Sequence, residues 1–166
     1  MSSATRQPNP SGRDSTRLEP TVGQFIGFLL EGEHYAIAIR TIQEIILMKP
    51  ITRLPRAPES IEGLINLRGT VIPIVSLRKR FGLGARPLDD ETRTIVVNSH
   101  GKTVGLIVDE VTEVMKIAHD QIQPVPIAVT AASQRCISGL ARRDDRLLMI
   151  LDIDKLLDPN ELETGA

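Results

Sequence analysis

The second half of this sequence repeats the pattern of the first. With an offset of 69, Ile26 falls on Ile95 and the turn glycine Gly32 on Gly101. Residues 35–39 then fall on 104–108, and 42–45 on 111–114. Further along the offset becomes 76: Ile61, Gly63 and Leu64 meet Ile137, Gly139 and Leu140, and residues 71–75 meet 147–151. The seven extra residues belong between Met115 and Ile137, where Pro124 and Pro126 sit. Identities are few, but hydrophobic pattern, turn glycines and capping residues agree. Self-similarity at a fixed offset marks a duplicated structural unit.

Each unit reads as short strands. In the first, residues 25–30, 34–39, 42–48, 61–67 and 71–77 are apolar or β-branched segments, broken by Glu31-Gly32-Glu33, by Pro50, Pro55 and Pro58, and by Arg68-Gly69-Thr70. Glycine supplies the positive φ that tight hairpins need. Ser76 is placed to cap a short helix over 77–81, and Asp152 a final one reaching 157. The second unit repeats the series with strands at 94–97, 104–108, 111–117 and 147–151. The expected fold is all-β: two similar small five-stranded β-barrels packed together, with short helices including one at the C-terminus. Five short strands favour closure over long open edges. The subdomains are expected at about 23–86 and 87–158, packed through aliphatic faces with a binding groove between them. Residues 1–22, rich in Ser, Pro, Arg and Thr without apolar period, are expected as a disordered tail, and 159–166 as a second tail.

Composition narrows the function. Net charge is -1, which suits neither a nucleic-acid binder nor direct membrane insertion. Aromatics are Phe25, Phe28, Phe81 and Tyr35, too few to stack single-stranded bases. No apolar run is long enough to span a membrane, and the N-terminus lacks a signal-peptide core. The one cysteine, Cys136, fits a reducing compartment and reads as a small buried hydrophobe. A cytoplasmic protein is expected.

Chemistry is thin. His34, His100 and His119 have no metal-ligand spacing, so neither metal nor cofactor is expected. His34 and His100 border hairpin turns. The acidic clusters at Asp89-Asp90-Glu91, Asp109-Glu110-Glu113 and Asp144-Asp145 read as solvated surface. Gly82-Leu83-Gly84-Ala85 follows a helix instead of opening one and lacks the lysine of a phosphate loop. Residues 49–86 carry eight basic and two acidic side chains, and residues from 87 onward eight and fourteen. That polarity can steer partners or favour head-to-tail assembly; equally, Arg78, Lys79 and Arg80 can be the wet face of a helix. Arg68 is not demanded by its turn, since its repeat counterpart is Asp144. An arginine on a rigid turn is a good directional contact for a partner's carbonyls or carboxylates.

The segment Ile61-Glu62-Gly63-Leu64-Ile65-Asn66-Leu67-Arg68-Gly69-Thr70-Val71-Ile72-Pro73-Ile74-Val75-Ser76-Leu77-Arg78-Lys79-Arg80-Phe81 resembles the CheW-like domain of bacterial chemotaxis coupling proteins. Ile42-Gln43-Glu44-Ile45, residues 104–109, 121–124 and 148–152 add to the likeness, which runs from about 24 to 157. The resemblance implies two SH3-like barrels. It also implies a non-enzymatic adaptor linking the cytoplasmic tips of methyl-accepting chemoreceptors to a CheA-type histidine kinase through its CheW-like regulatory domain, with self-association in array rings. The rest of the chain is too short for a kinase segment or receiver domain, which points to the stand-alone coupling member. By the same likeness Glu44, Gly63, Arg68 and Gly69 match positions tied to receptor or kinase binding, with Ile42, Asn66 and Val71 as neighbouring candidates. The competing expectation is a small β-barrel enzyme with its active site in the groove between subdomains.

Overall fold

A computed structural model describes residues 22–126, 135–157 and 159. The two expected tails lie outside these residues, apart from Val22, which opens the first strand, and Pro159. Eleven strands and two short helices are described: β1 (Val22–Leu30), β2 (Glu33–Ala38), β3 (Ile42–Leu47), β4 (Ile61–Leu67), β5 (Thr70–Ser76), α1 (Leu77–Arg80), β6 (Arg93–Ser99), β7 (Lys102–Val108), β8 (Glu110–Ala118), β9 (Ile122–Gln123), β10 (Ile137–Arg143), β11 (Arg146–Leu151) and α2 (Ile153–Leu156).

The fold is all-β, with two SH3-like sheets. The first barrel is six-stranded in the order β8-β1-β2-β11-β10-β9, and the second five-stranded in the order β3-β6-β7-β5-β4. The sixth strand, β9, pairs with β10 over only two positions; its counterpart in the second barrel is a single bridge, Thr52 to Leu64.

The duplication is visible pair by pair. β4 and β5 are in antiparallel register with a bulge between Ile61 and Gly63, and β10 and β11 repeat it between Ile137 and Gly139. Ser76 Oγ accepts from Lys79 N–H at 3.2 Å, and Asp152 Oδ1 from Lys155 N–H at 3.2 Å, so both expected caps form. The boundary expected at 86/87 is wrong. Hairpins β1–β2 and β4–β5 stay intact, but they sit in different barrels. β1 and β2 pair with β8 and β11, while β3 and β5 pair with β6 and β7. The links β2–β11 and β5–β7 are parallel. Each barrel therefore takes strands from both repeats.

Interleaving explains why the strands read as continuous apolar runs: alternate residues fill a barrel interior and the seam between barrels, so both faces are buried. Along β2, Ala36 faces the first barrel's core with Phe25, Met115 and Ile150, while Tyr35 and Ile37 face the shared core. In the second barrel Val96 packs inside with Ile65, Ile72 and Ile74, and its neighbours Ile95 and Val97 face the seam. Three of the four aromatics stack there: Phe28, Tyr35 and Phe81, with successive centroids 5.6 Å apart.

Candidate partner-binding site on the second barrel

Four hairpins are closed by two-residue turns with both residues at positive φ: Glu31-Gly32, Arg68-Gly69, His100-Gly101 and Asp144-Asp145. This is the primed turn that matches strand twist. Arginine is not among the residues that favour φ of +52°, so Arg68 sits at its tip against backbone preference. Its guanidinium forms an ion pair with Glu44 on β3. As β3 and β4 are the two edges of the sheet, the pair spans the barrel's open seam. Arg68's side chain is 68% exposed, so the pair adds little stability; its effect is to orient a solvent-facing cation. Below the tip, Asn66 Oδ1 accepts from Gly69 N–H at 2.7 Å and fixes the turn. Val71, opposite Asn66 on the rung, is 60% exposed. A Cβ on Gly69 would meet nothing within 4 Å, leaving that backbone open to approach.

Five of the seven expected residues, Glu44, Asn66, Arg68, Gly69 and Val71, thus form one surface. The other two point inward. Ile42 packs against the shared core. Gly63 is buried at the bulge, where a Cβ would lie 2.2 Å from the Thr52 carbonyl oxygen. The missing side chain lets the 49–60 loop cross the sheet closely. Two residues escaped the sequence reading: Ile45 and Leu47, exposed on the outer face of β3. The unbroken apolar run at 45–48 was their signal, since one face of an edge strand has nothing to cover it.

The acidic and basic clusters also differ from expectation. Asp109 is buried, not solvated. It accepts from Glu31 N–H at 2.8 Å, from Arg78 Nη1 at 2.8 Å and from Arg86 Nη1 at 3.0 Å. Arg78 also pairs with Glu31 and donates to the Gly84 carbonyl at 2.8 Å; Arg86 pairs with Asp89 at 2.7 Å. That bond to Arg86 holds the Asp89 carboxyl below its usual range. Nor are the α1 cations a wet face: Arg80 donates to the Leu156 carbonyl, and Lys79 pairs with Glu62 at 2.8 Å. Glu62 also takes Arg53 at 3.3 Å. Beside these pairs lies a cavity of about 280 Å3, with Met48, Ile51, Leu88 and Ile107 among its apolar lining. Among the described residues His34, His100 and Asp109 share no partner: His34 flanks the first barrel's mouth, and His100 meets the carbonyls of Asp154 and Leu157.

Comparison with known proteins then decides the family. Residues 24–161 match the model described as CheW-like domain. The chain belongs to the CheW-like family. It is 40% identical over 144 residues to the chemotaxis protein CheW of Klebsiella aerogenes, covering 86% of each chain. It is 38% identical over 154 residues to that of Helicobacter pylori, covering 92% of each. A solved CheW-like structure, the scaffolding protein TtCheW from Thermoanaerobacter tengcongensis, superposes with a TM-score of 0.77 at 38% identity, covering 86% of this chain and 96% of that one. Among the described residues no helix is long and apolar enough to cross a membrane.

In this CheW-like domain Cys136 is the counterpart of Ser60. Both backbone carbonyls accept the N–H of a helix cap, Asp152 at 2.7 Å and Ser76 at 2.8 Å. Cys136 is 4% exposed, and burial pushes its thiol pKa up. A thiolate-dependent reagent such as a maleimide is therefore expected to label the native chain at least roughly a hundredfold more slowly than the unfolded one, because reaction waits on opening. Equal rates, followed by mass spectrometry, would show the thiol to be accessible.

Proposed function

We propose that this chain is a non-enzymatic scaffold that couples the cytoplasmic tips of methyl-accepting chemoreceptors to a CheA-type histidine kinase within receptor arrays. The observation that carries the reading is the oriented, solvent-facing Arg68 on a rigid turn, flanked by exposed Val71, in a chain whose relatives are named chemotaxis and scaffolding proteins. An arginine held by one carboxylate keeps free donors for a partner's carbonyls or acids. A fixed tip loses little freedom on docking. In an array each contact needs only modest strength, since many copies give avidity. Signal then passes as receptor state biases the arrangement of kinase and scaffold. An enzyme in the inter-barrel groove would need His34, His100 and Asp109 to converge; they lie apart, and the charged groups that do line the cavity, Arg78, Arg86 and Asp109 among them, are paired with one another.

The test is a pull-down with purified receptor signalling tips and CheA kinase, comparing wild type with Arg68→Glu. Charge reversal places a carboxylate opposite Glu44 and opposite any acidic partner group. It is expected to weaken binding to at least one partner by about tenfold or more, with an unchanged circular dichroism spectrum. Wild type binding neither partner would end the coupling reading; equal binding by both proteins would remove Arg68 from the interface.

A further inference from the structure

The mouths of the two barrels differ at positions the repeat makes equivalent. The last rung of the β4–β5 hairpin holds Leu67 opposite Thr70. The same rung of β10–β11 holds Arg143 opposite Arg146. Like charges directly opposite on an antiparallel rung destabilise it, and the second barrel shows that the fold does not ask for them. Among the described residues neither arginine has an ion-pair partner; Arg143 reaches only the Lys116 backbone carbonyl, at 3.5 Å. Both line a small recess with His34 on β2 and Thr112 and Glu113 on β8, above Met115. Glu113 is the counterpart of Glu44, but the turn residue that would meet it is Asp144 in place of Arg68, so the ion pair that spans the other barrel's seam is missing here. What remains is two guanidinium groups, an imidazole and a hydroxyl around the recess, with Glu113 at its edge and Asp144 and Asp145 in the turn between the arginines.

We propose that the open rim of this recess, whose interior of about 20 Å3 is only water-sized, is a binding site for an oxyanion, a phosphate or carboxylate group, held between Arg143 and Arg146 with His34 and Thr112 as further donors. Paired guanidinium groups bind such planar or tetrahedral oxyanions through forked hydrogen bonds, and a bound anion cancels the repulsion across the rung. The group is either a free anion or the acid of a peptide. An adjoining hollow lined by Arg142, Asp145, Arg146 and exposed Leu147 gives a peptide's apolar neighbour somewhere to rest.

The experiment is a two-dimensional NMR titration of the full chain with sodium phosphate, and separately with a short Glu-Leu-Glu peptide blocked at both ends. Sodium chloride at matched ionic strength is the control. Saturable shifts of the Arg143 to Arg146 hairpin and of His34 are expected with phosphate; tighter saturation by the peptide would identify a protein-borne acid as the better ligand. Arg143→Leu with Arg146→Thr copies the second barrel's rung, so the fold is expected to survive and the low-salt melting temperature to rise. Affinity for phosphate is expected to fall by roughly tenfold or more. Glu113→Gln is expected to tighten binding and leave the melting temperature unchanged. Shifts no larger than with chloride, or identical in the double variant, would overturn the proposal. So would a lower low-salt melting temperature in Glu113→Gln, which would mean that Glu113 already neutralises the arginines.

Discussion

Replacing Gly63 by alanine is expected to cost about 4 kcal/mol, enough to leave much of the chain unfolded or insoluble, because two penalties combine. The backbone at Gly63 has φ of +149°, where side chains are rarely tolerated. The new Cβ would also lie 2.2 Å from the Thr52 carbonyl oxygen and 2.7 Å from Ile51 Cγ2. Backbone cannot turn aside as a side chain can. Thr52 is moreover bonded to Leu64 in both directions, each at 2.8 Å, so the clash strikes the bridge that holds the loop to the sheet. Gly139, its repeat counterpart, provides the control. A Cβ there meets chiefly a methyl of Ile122, at 2.4 Å, and Gln123 O at 3.1 Å. Gly139→Ala is therefore expected to cost about 2 kcal/mol, roughly half as much. Urea unfolding of both variants checks the order; equal losses would mean that the backbone at position 63 is free to relax.

Asp109→Ala is expected to cost about 3 kcal/mol, a fall in melting temperature of roughly 6–12 °C for a chain of this size. The carboxylate joins three segments far apart in sequence: Glu31 in the β1–β2 turn, Arg78 on α1 and Arg86 in the loop before β6. Removing it leaves the Glu31 N–H and one donor of each arginine facing a void. The loss stays at the lower end for a broken buried pair because Arg78 keeps Glu31 and Gly84, and Arg86 keeps Asp89. Asp109→Asn keeps an acceptor for Glu31 and is expected to lose about half as much. Calorimetry on the two variants separates the network from a merely solvated acid, whose replacement would shift the transition by no more than about 2 °C.

Strands, turns and caps were legible because each is local. The apolar period, the residue pairs at the tips, Ser76 and Asp152 all act within a few positions of themselves. Partner choice is not local. The run 34–39 has the same pattern whether its strand pairs with its own repeat or with the other, so the exchange of strands left no mark. Asp109 failed for a related reason: its two cations lie 31 and 23 residues away, and an acid just past a strand looks like one facing water. Gly63 and Gly69 show the same gap within the candidate site. Both enter the candidate site through the same resemblance, Gly63 within a strand and Gly69 in a turn; one sits against a carbonyl and the other at an open tip, and only the loop at Thr52 tells them apart. Arg68 was found because the comparison with Asp144 removed the fold's own demand from the choice.

The interleaved strands also bear on symmetry. A single repeat holds hairpins that belong to different barrels, so a chain with one copy would complete such a barrel by trading strands with a second, identical chain. Today's polypeptide has the form of that dimer fused end to end. Within one polypeptide the two equivalent tips need not be the same, and here they are Arg68 in one barrel and Asp144 in the other. A symmetric pair of chains could never present two such different ends.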